Sequence, residues 1–260
     1  MTLSPINSKL NSVETDPNSI GRVQTAGDSG EYVILGDKKF YKHELVSVLS
    51  LADAEVSKPQ YGDSVPLGLG AFAITTLILS LYFLQVKGIK TSNVVMGLAV
   101  FLGGVIQGLA GVWCFFTGDT LVFTVLVSFA TFWLSFAAIN IPSFGILAAY
   151  ADEPEQLANA MGFYLLGWDI LSVIFMLLTF KSTVFFCGLF VDLVVLFGVL
   201  AAAQFKGLET LTKIGGGVGV VAVFIALYNA YALMATKENS YFRVNVLPFS
   251  MFKEHWKYNH

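Results

Sequence analysis

Charge is what this chain has least of. Its 260 residues include 15 Lys and Arg and 18 Asp and Glu, 13% together, against 55% hydrophobic residues and a mean hydropathy of +0.70. A soluble domain of this size needs more charge to cover its surface, so the composition excludes an ordinary water-soluble enzyme or binding module. No basic patch of the kind that nucleic acid demands is present, so a nucleic-acid partner is not expected. Cysteine is also scarce. Cys114 and Cys187 both fall inside apolar stretches, without CxxC spacing or a nearby His. They read as small buried hydrophobes, neither a disulfide framework nor a metal site. The three histidines, His43, His255 and His260, lie outside the apolar stretches. No Ser/His/Asp set and no metal-ligand cluster assembles within them, so neither enzyme activity nor a cofactor is expected. The opening run Met1–Lys9 is polar and lacks the apolar core of a secretory signal peptide.

What the chain does have is apolar length. Six stretches, at roughly residues 66–86, 93–116, 119–141, 157–180, 183–204 and 215–236, each match the span of about 20 residues that crosses a bilayer as a helix. They predict an all-α membrane protein, because an open sheet edge in lipid would leave backbone groups unpaired. The domain reading is a polar, largely disordered tail over 1–60, a six-helix transmembrane domain over 61–236 and a C-terminal tail over 237–260. Residues 1–30 are rich in Ser, Asn, Thr, Gly and Asp, which favours disorder. A short ordered segment is expected near 31–51. There Tyr32–Leu35 suits an extended piece before Gly36-Asp37, and His43–Leu49 suits a short amphipathic helix packed on the membrane domain or at its interface.

Punctuation supports these limits. Pro66 fits the first turn of a helix, where a missing N–H costs nothing. Ile141-Pro142-Ser143 ends or kinks the third span. Asp152-Glu153-Pro154-Glu155 marks a loop followed by an acidic first helical turn, and Lys206-Gly207-Leu208-Glu209 marks another loop. Gly104, Gly108 and Gly111 share one side of the second span, and Gly215 and Gly219 begin the sixth. Small residues at this spacing serve close helix packing, within one protomer or between protomers. Six spans put both termini on one side. Lys58, Lys181, Lys237, Arg243 and Lys253 on that side nearly balance Lys87, Lys90, Lys206 and Lys213 on the other, so basic residues do not orient the chain. The long polar N-terminal tail without a signal peptide argues for cytoplasmic termini.

An ordered set of motifs resembles the acetate uptake transporter family, which contains bacterial acetate–succinate permeases and fungal acetate and ammonia-export-related proteins. Pro66-Leu67-Gly68-Leu69, with Phe72 and Thr75-Thr76, resembles the family's opening signature. Gly103-Gly104-Val105-Ile106-Gln107-Gly108-Leu109-Ala110-Gly111 resembles its second-span run, and Ser128-Phe129-Ala130-Thr131-Phe132-Trp133 its third-span motif. Thr179-Phe180-Lys181 and Val246-Leu247-Pro248 resemble the turn before the fifth span and the exit after the sixth. The likeness covers about residues 60–250, and the long N-terminal tail resembles the fungal branch.

This resemblance implies a six-helix bundle with one pore per protomer, assembled as a homo-hexamer in the plasma membrane. It also implies transport of acetate and similar small monocarboxylates, as a channel or with a proton. The family's hydrophobic constriction carries over to Phe72, Phe129 and Leu193. At about 1.5 Å per residue these lie about 9, 15 and 15 Å from the starts of three helices that run in one direction, so they can meet at mid-membrane. An apolar ring accepts a methyl group and slows hydrated ions by dewetting. Polar groups beside it can hold a carboxylate: Thr75, Thr76, Gln107, Ser128, Thr131 and Tyr228 are candidates, and Ala226 joins them as a pore-lining candidate.

The chain departs from the family pattern at its opening, where Asp63-Ser64-Val65-Pro66 stands for Asn-Pro-x-Pro. Phe129 stands where many members have tyrosine, and Cys114 where many have glutamate. Asp169 and Asp192 fall inside spans. A charge at a helix centre costs about 2.5–3.5 kcal/mol on insertion scales, so each acid is expected to be protonated, wetted or hydrogen-bonded. Either is a candidate proton or cation site. Asp192 is the stronger, since it precedes Leu193, although neighbouring helix residues point about 100° apart. With Asp63 at the mouth, these acids favour ammonium or the neutral acid over acetate anion. Three alternatives follow: ammonia or ammonium export, a membrane sensor or regulator of the acetate response, and, least favoured, an intramembrane enzyme.

Overall fold

The structure, a computed structural model, describes residues 24–26, 30–35, 38–47, 62–244 and 247. They fall into two units, within 1–60 and 61–260. The first holds a three-stranded antiparallel sheet in the order β1 (Gln24–Ala26), β2 (Tyr32–Leu35), β3 (Lys38–Tyr41), followed by a helical segment over 42–47. Tyr32 lies directly opposite Tyr41, their rings 4.8 Å apart, and Lys39 Nζ sits 3.9 Å over the Tyr32 ring. The extended piece at Tyr32–Leu35 is thus the middle strand. β1 and β3 were not legible in the sequence: each is three or four residues long and largely polar, and pairing with β2 is what makes it a strand. The disorder expected over residues 1–30 does not hold at Gln24–Ala26, where pairing with β2 makes a strand; residues 1–23 and 27–29, the Gly36-Asp37 turn and residues 48–49 of the expected 43–49 helix lie outside the described residues, as do 245–246 and the chain from 248 onward.

In the second unit, six helices are long and apolar enough to cross a membrane: α1 (Val65–Phe83), α2 (Val94–Thr117), α3 (Thr120–Asn140), α4 (Pro154–Thr179), α5 (Val184–Lys206) and α6 (Glu209–Met234). Their outward faces carry large apolar side chains. Phe101, Leu109 and Phe116 on α2, and Phe163, Ile170, Ile174 and Leu177 on α4, are all exposed. Such faces are costly in water and natural in lipid, so the protein is an integral membrane protein.

Local chemistry sets the ends. Asp63 Oδ1 accepts from Val65 N at 2.9 Å, and Pro66 occupies the first turn of α1. Asp119 Oδ1 accepts from Val122 N at 3.0 Å and caps α3, which stops before Ile141-Pro142. Thr183 Oγ1 accepts from Phe186 N at 3.2 Å and caps α5. Gly118 (φ 83°) and Gly207 (φ 61°) close α2 and α5 in the left-handed conformation, which glycine adopts without strain. Two starts differ from the hydropathy reading. α4 begins at Pro154, three residues before position 157, and α6 at Glu209, six before position 215. The extra turns are polar, so hydropathy misses them. At the head of α6, Glu209 pairs with Lys213 at 2.9 Å and accepts from Gln85 Nε2 at 2.9 Å, which holds that turn helical outside the apolar run.

α1 packs on α6, α2 on α3, α4 on α5 and α5 on α6. The glycines make three of these contacts close. A Cβ on Gly104 would lie 2.5 Å from Leu134 Cδ2, on Gly108 3.4 Å from Ala130 Cβ, and on Gly111 2.8 Å from Val127 Cγ2. The stripe therefore faces α3 of the same protomer. On α6, Gly215 meets Leu200 of α5 and Gly216 meets the Ser80 carbonyl of α1. α2 is not a uniform helix: residues Phe101–Ile106 form a π-helical segment between two α-helical parts. The wider turn brings Gly103 as well as Gly104 against α3, with a Cβ on Gly103 falling 2.7 Å from Trp133 Cδ1.

Gly111→Ala is expected to destabilise the bundle by roughly 1–3 kcal/mol, since its Cβ also meets the backbone nitrogen of Val127 at 3.0 Å. Gly97→Ala, in the same helix but with nothing within 4 Å, should be neutral or slightly stabilising. Thermal melting of the two variants in detergent checks the contrast.

Candidate functional site

α1, α3 and α5 all begin at one end of the bundle, and their first turns surround an open cavity of about 460 Å³. Asp63 and Val65 line it from α1, Asp119 and Val122 from α3, and Thr183 and Phe186 from α5, with Asn229 of α6 on a further wall. Two carboxylates face this mouth, and among its described lining residues there is no Lys or Arg. Three helix N-termini, which carry partial positive charge, point the same way. Asp119 and Thr183 each already accept from an amide of their own first turn.

Deeper in the bundle, a narrow cavity of about 20 Å³ shares Val65, Leu69, Val122 and Phe186 with the mouth. Its floor includes Phe72, Leu193 and Gln107. Beyond it lies an inner cavity of about 30 Å³, lined by Phe72 and Leu193 again and by Thr76, Ser80, Trp133 and Phe197. Each small cavity has room for about one water, too little for a four-heavy-atom acid. Mouth, narrow cavity and inner cavity thus follow one another between the odd-numbered helices, and Phe72 and Leu193 form the wall between the last two.

Phe129 stands behind that wall. It lines neither small cavity, but its ring lies 6.2 Å from Phe72 and between 6.1 and 6.3 Å from Phe175, Trp168, Phe197 and Phe190. The three constriction residues predicted from the sequence are all buried, at 6%, 3% and 2% exposure for Phe72, Phe129 and Leu193, and belong to one apolar cluster. Phe72 and Leu193 touch the path, whereas Phe129 backs them from the aromatic core.

The polar candidates divide. Gln107 is 1% exposed. Its Nε2 donates to the Leu126 carbonyl of α3 at 3.2 Å, while its Oε1 finds no partner among the described residues. Because a carbonyl accepts only, this bond fixes which end of the amide is which. Thr76 lines the inner cavity, and its hydroxyl has no partner among the described residues. Thr75 is fully buried and bonds back to the Ala71 carbonyl at 2.8 Å. Thr131 is exposed and bonds back to the Ser128 carbonyl at 2.6 Å, and Ser128 borders none of the three cavities. Ala226 is buried in the α6 packing face, and the Tyr228 ring lies tilted against Phe185 with ring centroids 4.2 Å apart.

The signature motif is structural at its start. Ser64 Oγ donates to the Ala110 carbonyl at 2.8 Å and lies 3.3 Å from Cys114 Sγ, tying the head of α1 to the tail of α2. Gly68 admits the Leu126 side chain, and Leu69 lines the mouth and the narrow cavity, while Leu67 points outward. Asp192 Oδ2 and Asp169 Oδ1 are buried without a hydrogen-bond partner among the described residues. Asp169 faces α5 near Gly198, whose Cβ would lie 3.8 Å away. Neither acid borders the three cavities. Trp133 is a polar lining residue that sequence reasoning missed. It stands in the third-span motif, but its indole N–H reads as part of a large apolar ring until a cavity is seen beside it.

The profile of the GPR1/FUN34/yaaH family matches residues 48–251. The chain belongs to the GPR1/FUN34/yaaH family. Within this family, accumulation of dyads protein 2 of Saccharomyces cerevisiae is 45% identical, over 89% of this chain and 83% of its own length. Ammonia transport outward protein 2 of the same yeast is 44% identical, over 90% and 83%. Acetate permease A of Emericella nidulans is 36% identical, over 75% and 68%. Among solved structures, that of the bacterial acetate channel SatP matches with a TM-score of 0.64 and 26% identity, covering 72% of this chain and 99% of that one. The GPR1/FUN34/yaaH fold of six apolar helices is therefore shared with a channel.

Proposed function

We propose that this protein carries small monocarboxylates, acetate foremost, across the membrane through one pore per protomer, with Phe72 and Leu193 as its constriction and Phe129 as their support. The observation that carries this reading is the row of three cavities lined by α1, α3 and α5, with Phe72 and Leu193 lining both of the inner two. An apolar wall of this kind dewets and stops hydrated ions, yet can yield to a methyl group. The likeness to an acetate permease and to an acetate channel supports acetate as the solute. The family resemblance supports assembly as a homo-hexamer, and the reading places the protein in the plasma membrane with cytoplasmic termini.

A second reading, ammonium export, is favoured by one feature. Asp63 and Asp119 face the mouth without a described cation beside them, and such a field concentrates cations. The 44% identity to an ammonia transport protein supports it as well. Purified protein in liposomes separates the two. Saturable uptake of labelled acetate, blocked by other short carboxylates, is expected; methylammonium uptake without acetate uptake would establish the second reading instead.

Phe72→Ala and Leu193→Ala are each expected to raise uptake of a longer acid such as butyrate relative to acetate severalfold. Unchanged selectivity in both variants, correctly inserted, would remove these residues from the constriction. Asp192 adjoins Leu193 and has an unpaired buried oxygen, so Asp192→Asn is expected to alter the pH profile of uptake. The same profile in both proteins would leave this acid a structural role only.

A further inference from the structure

Two open grooves lie on the outside of the bundle, apart from the row of cavities within it, and they meet at one carboxylate. The first, about 430 Å³, runs along α1 past Leu67, Gly70, Ala71 and Ile74, with Leu102 of α2 and Met234 of α6 at its sides. Leu67, Ile74 and Met234 are exposed, and a Cβ on Gly70 would meet nothing within 4 Å. The second, about 360 Å³, has Leu109, Ala110 and Trp113 of α2 as its apolar walls. Leu67, 54% exposed, borders both grooves, and so does Asp63.

Depth relates these grooves to the membrane. Asp63 and Ile74 stand about 16 Å apart along α1 at about 1.5 Å per residue, which is roughly half the thickness of a bilayer's hydrocarbon core. The first groove therefore runs from the membrane surface to about mid-bilayer, the depth of one leaflet. Trp113 marks the surface end of the second. Its Nε1 donates to the Gly62 carbonyl at 3.1 Å, and tryptophan is enriched at the headgroup level of membrane proteins. Among the described residues, Asp63 accepts one hydrogen bond, from Val65 N, and forms no ion pair.

We infer that the two grooves hold one amine-headed phospholipid, a phosphatidylethanolamine, with an acyl chain on each side of Leu67 and its ammonium on the Asp63 carboxylate. Two apolar channels that converge on a single acid match a molecule with two chains and one cationic head. A helix from a second copy of this chain would present one ridge, not two. The headgroup follows from hydrogen-bond chemistry. A primary ammonium donates to a carboxylate, whereas the quaternary ammonium of phosphatidylcholine has no N–H to donate, and the net negative charge of phosphatidylglycerol is repelled. Asp63 also borders the mouth of the inner path, so the bound ammonium offsets one of the two carboxylates there.

The test is native mass spectrometry of the full-length protein, stripped of lipid in detergent and then given dioleoyl phosphatidylethanolamine, phosphatidylcholine or phosphatidylglycerol. Wild type should retain the first about two- to fivefold more than either of the others, the range of an exposed ion pair. Asp63→Asn, whose side-chain oxygen can still accept from Val65 N, should abolish that preference. Gly70→Leu, which fills the first groove without meeting a neighbour, should lower retention of all three lipids. Equal retention of the three by wild type, or a preference that survives Asp63→Asn, would overturn the headgroup site. Unchanged retention in Gly70→Leu would overturn the groove. A change in the number of copies in the Gly70→Leu assembly would make this face a contact between copies, and the lipid site would fail.

Discussion

A polar group inside a hydrocarbon layer has only the protein to bond with. The architecture follows from that constraint. Backbone groups are satisfied by winding six stretches into helices, and ion pairs are kept to the ends, as at Glu209 and Lys213. Side chains such as Thr75, Ser172 and Asn229 bond back along their own helices. Against this background the unpaired atoms stand out. Gln107, Thr76 and Trp133, each with such an atom, line the two small cavities, whereas Asp169 and Asp192, which also have one, border neither.

The path exists because the odd-numbered helices are held apart while the others close up. Glycines on α2 and α6 bring α2 onto α3 and α6 onto α1 and α5 at distances a side chain would forbid. Between α1, α3 and α5 the contacts are instead made by large rings, with Phe129 at their centre. Rings in tilted and stacked contact are stiff, so Phe72 rests on a firm backing. Leu193, which lines the same two cavities, is aliphatic and has more rotamer freedom than a ring. Acidic residues stand at one mouth, and the two small cavities are lined mostly by apolar side chains. A transporter needs release as much as capture.

Much of this was legible in the sequence. Lipid is a uniform solvent, so hydropathy alone located six helices, and Pro66, Pro142 and Pro154 marked their ends through rules that need no tertiary context. The polar turns at the heads of α4 and α6 escaped because hydropathy sees burial in lipid and not a local Glu209–Lys213 pair. β1 and β3 escaped because a strand of a few polar residues is defined by its neighbour. The ordered motifs also brought Phe72, Phe129 and Leu193 together as one set.

The sequence by itself therefore determined the solvent, the number of helices and their direction, since each depends on runs of neighbouring residues. Only the tertiary structure decided which face of each helix meets the path. A rotation of about 100° per residue separates a lining Thr76 from a back-bonded Thr75, and that difference is set by side chains from three other helices. It decided that the Gly104, Gly108 and Gly111 stripe serves α3 of the same protomer and that Phe129 supports the wall without lining it. It also decided that Trp133, one large ring among many in a chain with 23 phenylalanines, has a buried N–H with no partner among the described residues. Those facts depend on distances between residues far apart in the chain, which hydropathy and spacing do not encode.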